Sequence, residues 1–256
     1  MKVYEIAELI DKAFPPAAAE EWDNIGLLVG RRDNEVSRVL LTLDVTPYVV
    51  EEAIKSGVQM IVSHHPMMFS GVKRITDEAA EGRMLLDLCR ADIAVYAAHT
   101  NLDSGVGGLN DALAALFGLN NTEVVLQGSL DGAGLGRIGD LAEPVTALEF
   151  AQMAKKLLNT SVRLSGDKNK QVKRVAVGSG ASDDIIPRAA QMGADLVLTG
   201  DCKYHRNQEY TYMGVTVVDA GHYPTEIICM DIFEKVLAGY GLELIKSDMK
   251  DIFEFI

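Results

Sequence analysis

Five histidines occur in the chain, and two are adjacent: His64 and His65, in Val62-Ser63-His64-His65-Pro66. The apolar run Val58-Gln59-Met60-Ile61-Val62 before them reads as a short buried strand. Ligands in open α/β sheets sit beyond the carboxyl ends of the strands, so the pair stands where chemistry is expected. Neighbouring residues of a strand face opposite ways, so both imidazoles can serve one centre only where the backbone bends past the strand end. The plain alternative is two histidines satisfied by backbone in a loop.

His99 and His222 also follow apolar runs, and each is followed four residues later by an acid, Asp103 and Glu226. Asp103 could merely cap a helix near Leu109, and Glu226 could sit favourably in a first helical turn after Pro224. Their matching places in two parts of the chain favour ligation instead. Neutral imidazole with carboxylate suits zinc, iron, manganese or nickel, and carboxylates can bridge two cations. His99 is either a ligand or a proton carrier beside metal-bound water, and the second reading is preferred. Asp201 and His205, in Thr199-Gly200-Asp201-Cys202-Lys203-Tyr204-His205, are possible cavity-lining residues, with a structural role in a loop as the alternative. The glycine-rich Gly105-x-Gly107-Gly108 is weak as a phosphate motif, because no Lys-Ser/Thr follows.

Spacing points to an internal repeat. Val39 and Val175, Thr46 and Ser182, Gly57 and Gly193, and Val62 and Leu198 each lie 136 positions apart and share a role: strand core, helix N-cap, helix-ending glycine, strand end. His99 to His222 and Asp103 to Glu226 are both 123 apart. The fold expected is α/β, with two similar, intertwined halves from a duplication, residues 1–125 and 126–256. The C-terminal strand near Leu242–Ile245 is expected to cross back onto the first half. Gly128–Gly139 reads as a turn-rich junction. Among the helices, Thr46-Pro47 supplies an N-cap and a first-turn proline for one that Gly57 ends. Others are expected over 78–90, 109–117, 148–158, 185–192 and 226–240.

Composition bounds the function. With 256 residues, 48% apolar and 24% charged, the chain is an ordinary globular one, and its formal charge of −13 lacks the cationic footprint of nucleic-acid binding. Three dispersed cysteines without a C-x-x-C pairing favour a reducing compartment and no thiolate site. No run has membrane-spanning length and the first residues lack a signal peptide's apolar core, so a cytoplasmic protein is expected.

Several segments together resemble the Nif-three-like family, the type 2 GTP cyclohydrolase I homologues. They are Trp22-Asp23-Asn24-Ile25-Gly26-Leu27-Leu28-Val29-Gly30, Leu43-Asp44-Val45-Thr46-Pro47, His64-His65-Pro66 and Ala98-His99-Thr100-Asn101-Leu102-Asp103. Thr199-Gly200-Asp201-x-Lys203-Tyr204-His205 and Asp219-Ala220-Gly221-His222-Tyr223-Pro224-Thr225-Glu226 complete the set, which spans the chain in order. The resemblance implies a mixed four-stranded sheet in each half and a dinuclear centre, two divalent ions per chain, in the cleft between them. It implies His64, His65, Asp103, His222 and Glu226 as ligands, and a ring-shaped homohexamer. The implied activity is hydrolysis of a small-molecule nucleotide, GTP as candidate, with formate released. A two-metal phosphoesterase and a non-catalytic metal-binding or interaction scaffold are the other readings.

Overall fold

The structure is a computed structural model that describes residues 1–256. Helix α1 (Val3–Ala13) ends before Pro15-Pro16, and strands β1 (Gly26–Val29) and β2 (Arg38–Thr42) follow. Thr46 accepts the Val49 N–H at 3.3 Å and caps α2 (Pro47–Ser56), which Gly57 closes in the left-handed conformation, φ +64°. Next come β3 (Met60–Ser63), α3 (Ala80–Ala91), β4 (Ala94–Ala97) and the short helix α4 (Thr100–Ser104). The chain continues with α5 (Leu109–Leu116), β5 (Asn120–Gln127), β6 (Gly134–Thr146), α6 (Ala147–Leu157), β7 (Arg163–Ser165) and β8 (Gln171–Val177). It closes with α7 (Ile186–Gln191), β9 (Leu196–Thr199), α8 (Tyr204–Tyr212), β10 (Thr216–Asp219), α9 (His222–Glu226), α10 (Cys229–Leu237) and β11 (Glu243–Lys246).

Two compact units result. The first comprises Met1–Leu102 with Cys229–Lys250, the second Asp103–Ile228 with Asp251–Ile256. The division falls inside α4, not at the expected 125/126, and α10 and β11 are part of the first unit.

The first unit holds a five-stranded sheet ordered β1-β4-β3-β2-β11, parallel except for β1 at its edge. Strands β3 and β4 are buried throughout, which is why they read as unbroken apolar runs and not as alternating ones. Leu40, Ile61 and Val95 pack with Val49 and Ala53 of α2 and Leu88 of α3. The alternate residues Val39, Leu41, Met60 and Val62 are equally buried on the opposite face, and α10 packs on β2.

The second unit holds a six-stranded sheet ordered β5-β6-β8-β9-β10-β7. Strands β8, β9 and β10 are parallel; β7, β6 and β5 are antiparallel to their neighbours. Val175, Val177, Leu196 and Leu198 face Phe117, Phe150 and Ala154. Ala176 and Val197, one residue along, face Ile185, Ala189 and Tyr210 in a second core layer. The period of two thus sorts one strand's residues between two cores.

The sheets therefore have five and six strands where four each were expected. β11 adds one to the first, and the β5–β6 hairpin adds two to the second. Gly128–Gly139 is not a junction but the turn of that hairpin and the first half of β6. Its glycines disguise it, and packing demands them: a Cβ on Gly134 would lie 2.1 Å from the Leu126 carbonyl oxygen, and one on Gly139 2.7 Å from that of Asn120. Four strands are nevertheless common to both sheets: β1-β4-β3-β2 and β7-β10-β9-β8 share order and direction. Val39 pairs with Met60 as Val175 pairs with Leu196, so the 136-residue spacing extends to strand register.

Two expected details differ. Ser182 does not cap as Thr46 does, because its hydroxyl donates to the Ser179 carbonyl and a 3-10 turn, Asp183–Ile185, comes before α7. The helix expected over 226–240 is two helices, α9 and α10. Pro224 fits the first turn of α9, where an N–H would have no helical partner, so that helix starts at His222 and ends at Glu226.

Candidate metal centre

In the first unit the donors stand at the carboxyl ends of adjacent parallel strands. β3 ends at Ser63, and the His64 and His65 N–H groups still reach Thr42 O (3.2 Å) and Leu43 O (2.9 Å). The pair therefore lies past the strand but remains pinned to β2, as a shared centre requires. His64 is fully buried and His65 partly so. His99 follows β4, and the three rings are neighbours: 4.9 Å between the His64 and His65 centroids, 5.1 Å between His64 and His99, 5.4 Å between His65 and His99. Each offers a ring nitrogen within 4.8 Å of the other two.

Each ring is also oriented. His64 Nδ1 lies 2.9 Å from the Ala98 carbonyl oxygen, which can only accept, so Nδ1 carries the proton and Nε2 the lone pair. His65 Nδ1 lies 2.7 Å from Asp44 Oδ1, and His99 Nδ1 2.9 Å from Asp23 Oδ1. A carboxylate or carbonyl behind the imidazole is the arrangement that fixes tautomer and orientation in metal-binding histidines. Burial would raise the Asp23 carboxyl, but hydrogen bonds from His99 and from the Thr100 hydroxyl and backbone outweigh it and hold it at about 2.

The second unit repeats the device. His222 opens α9 with Nδ1 3.0 Å from Asp201 Oδ2 and Nε2 2.9 Å from Glu226 Oε2, the pair being i,i+4 on one helical face. Asp201 holds a left-handed conformation, φ +50°, and follows β9. Asp103, in α4, is 8% exposed and accepts the Ser179 hydroxyl at 2.9 Å. A carboxylate oxygen of Asp103 and one of Glu226 lie within 4.8 Å of each other.

Gly180 closes the back of this group. Its N–H donates to Thr225 Oγ1 (2.9 Å), and with φ +55° a Cβ there would stand 2.0 Å from Glu226 Oε1 and 3.0 Å from His222 Nε2. Only hydrogen fits. Imidazole nitrogen and carboxylate oxygen, without thiolate, form a donor set that fits zinc, iron, manganese or nickel.

The expected site residues thus fall into two sets. His64, His65 and His99 gather in the first unit; Asp103, His222 and Glu226, with Asp201 behind His222, gather in the second. His205 is not drawn in. It is exposed on α8, its ring edge-on to Tyr204 at 5.3 Å. Asp23, Asp44, Ser179 and Gly180 were not singled out from sequence. The two carboxylates could have been, since Asp44 directly follows the strand end at Leu43, and Asp23 sits in a polar turn. Nothing in the sequence marks Ser179.

A family model described as Duf34/NIF3 (NGG1p interacting factor 3) matches residues 1–251. A Clostridium perfringens protein called "GTP cyclohydrolase 1 type 2 homolog" is 36% identical over 262 residues, covering 100% of both chains. Among solved structures, a Bacillus cereus protein related to NIF3 superposes with TM-score 0.94 at 27% identity, covering 100% of this chain and 99% of that one. Reduced HcgD from Methanocaldococcus jannaschii superposes with TM-score 0.85 at 35% identity, covering 97% and 98%. The chain that carries these strand-end histidines is therefore a member of the Duf34/NIF3 family.

Proposed function

We propose that the donors of both units serve one centre of two divalent cations, and that the protein is a metal-dependent hydrolase of a purine nucleotide, GTP being the candidate. The observation that carries this reading is the shared orientation of four imidazoles. His64, His65 and His99 each hold Nδ1 against a carbonyl or carboxylate oxygen, which assigns the neutral ring's lone pair to Nε2, and His222 holds Nδ1 against Asp201 in the same way with Nε2 facing Glu226. Histidines kept for packing need no such uniform clamp. The name of the Clostridium perfringens relative supports the reaction class.

His64, His65, Asp103, His222 and Glu226 would hold the ions. Cations bound there supply a water whose pKa falls toward about 7, and positive charge to meet a triphosphate in a chain of formal charge −13. His99 serves as the proton carrier: with Nδ1 tied to Asp23, its Nε2 takes a proton from the attacking water and returns it to the departing ring nitrogen. Asp23, held ionised, stabilises the imidazolium between the two transfers. A first water at C8 of the guanine opens the ring to a formamide and a second releases formate; rearrangement of the ribose and its closure onto the two freed amines, with loss of one water, would give dihydroneopterin triphosphate.

Formate release from GTP by metal-loaded protein, abolished in His64→Ala and Glu226→Ala, is the expected result. Phosphate or pyrophosphate without formate would replace it with a two-metal phosphoesterase. Tightly held cations with no turnover of a nucleotide panel would leave a metal-binding or interaction scaffold. The shared strand order of the two sheets supports descent from a duplicated α/β half. The homohexamer implied by the resemblance belongs to the same proposal, and its mass in solution tests it.

A further inference from the structure

Two large aromatic rings flank His99, and the reaction proposed above uses neither. Trp22, the chain's single tryptophan, stands edge-on to the imidazole at 6.0 Å and 74°. Phe69 stands edge-on to the same ring at 5.6 Å and 77°. Both are mostly in solvent, 63% and 57% exposed. Single exposed apolar residues are ordinary on any surface. Two from separate loops on one imidazole of a donor cluster are a different observation, because each leaves apolar ring surface uncovered at the same place.

The loops that carry them are built, not loose. The Trp22 turn is anchored by Asp23, which accepts from His99 Nδ1 and from the Thr100 N–H at 3.0 Å, and by the Glu20 N–H on Thr100 Oγ1 at 3.0 Å. The Phe69 loop is anchored by Met67 and Met68, which pack on the core of the first unit. Asn24 Nδ2 donates to the Met68 carbonyl oxygen at 2.6 Å and ties one loop to the other. Backbones are thus fixed while the two rings are left open, which is the arrangement of an aromatic platform awaiting a flat ligand.

We propose that Trp22 and Phe69 form a stacking platform that receives the planar base of the substrate beside the histidine cluster. The inference rests on the nucleotide reading above and deepens it. Stacking uses a π-face that every heteroaromatic base possesses, so the platform selects base-bearing ligands over base-free phosphates and discriminates weakly between purines.

Because Trp22 is the only tryptophan, its emission reports on the platform directly. Guanosine and adenosine are titrated into the full-length protein, with inorganic tripolyphosphate as the base-free probe. Saturable quenching by both nucleosides and none by tripolyphosphate is expected. Phe69→Ala should weaken nucleoside binding about 5- to 150-fold, the range that loss of one base–aromatic stack produces. Calorimetry should show the same loss for Trp22→Ala and near-retention for Trp22→Phe, which keeps a π-face. Both positions are exposed, and unchanged thermal unfolding verifies that the variants fold. Unaltered emission with nucleosides, or Trp22→Ala and Phe69→Ala variants that bind guanosine as the parent does, would overturn the proposal. Formate release from GTP is read on the same samples and bears on the hydrolase alone: nucleoside quenching without formate keeps the platform and removes the reaction.

Discussion

Asp23 Oδ1 lies 2.9 Å from His99 Nδ1, and the same carboxylate takes two further hydrogen bonds from Thr100. One acid thus joins the turn before β1 to the residues that follow β4. Its side chain is fully covered, yet it stays ionised down to about 2, below its ordinary 3.8.

Acid stability should carry this signature. A carboxyl depressed on folding contributes stability that is fully present above its unfolded value and is lost as pH falls through the folded one. For Asp23 the window runs from about pH 4 to about pH 2. Urea midpoints of chelator-treated protein should show the gap between the parent and Asp23→Asn closing across that window. A gap independent of pH would show that Asp23 is not held ionised by these partners.

The carboxylates behind the rings should matter nearly as much as the rings. Asp44→Ala and Asp201→Ala each remove the acceptor at Nδ1 of one histidine. Cation affinity measured by chelator competition should fall about 10- to 100-fold in each, as loss of such orienting partners does. The asparagine variants, which keep an acceptor oxygen, should lie between. Affinity equal to the parent's in both alanine variants would remove these residues from the account.

Gly180→Ala tests how closely the second unit's donors are cradled. The added methyl meets Glu226 Oε1 at 2.0 Å on a backbone at φ +55°. The left-handed conformation alone costs about 1–2 kcal/mol. Thermal unfolding should report that loss, and cation affinity should drop at least about tenfold as Glu226 is displaced. A variant that melts lower but binds cations unchanged would assign Gly180 to the fold only.

Thiol reactivity should sort the three cysteines. Cys202 is buried, and burial, reinforced by Asp183 and Asp219, pushes its thiol up to about 11; Cys229 is buried too, while Cys89 is exposed. The thiolate is the nucleophile, so iodoacetamide at pH 8 should label Cys89 first, as peptide mass spectrometry would show. Early labelling of Cys202 would mean that its cover opens readily.

Sequence was most informative where one strong local rule acts. Thr46, Pro47 and Gly57 bounded α2 correctly, and the apolar runs ending at His64 and His99 placed both at strand ends, because buried parallel strands write themselves as unbroken apolar segments. It failed where residue choice answers to a partner distant in sequence. The glycines of β6 serve close approach to β5, so they read as a turn. α4 and α9 are five-residue helices, too short to show a period. His205 follows the same kind of strand as His64 yet lies on a solvent-facing helix, since the strand end it follows is taken by Asp201. The acids that orient the histidines, Asp23 and Asp44, were visible as residues but not as partners, for only the folded chain sets them against Nδ1.

The account depends on two cations held by imidazoles and carboxylates. Its most direct test is metal content per chain after exhaustive dialysis, measured by mass spectrometry on the parent, His65→Ala and His222→Ala. About two equivalents of a divalent transition metal in the parent, and a loss in both variants although they alter different units, is the result expected. Substoichiometric metal in the parent that survives either substitution unchanged would contradict it.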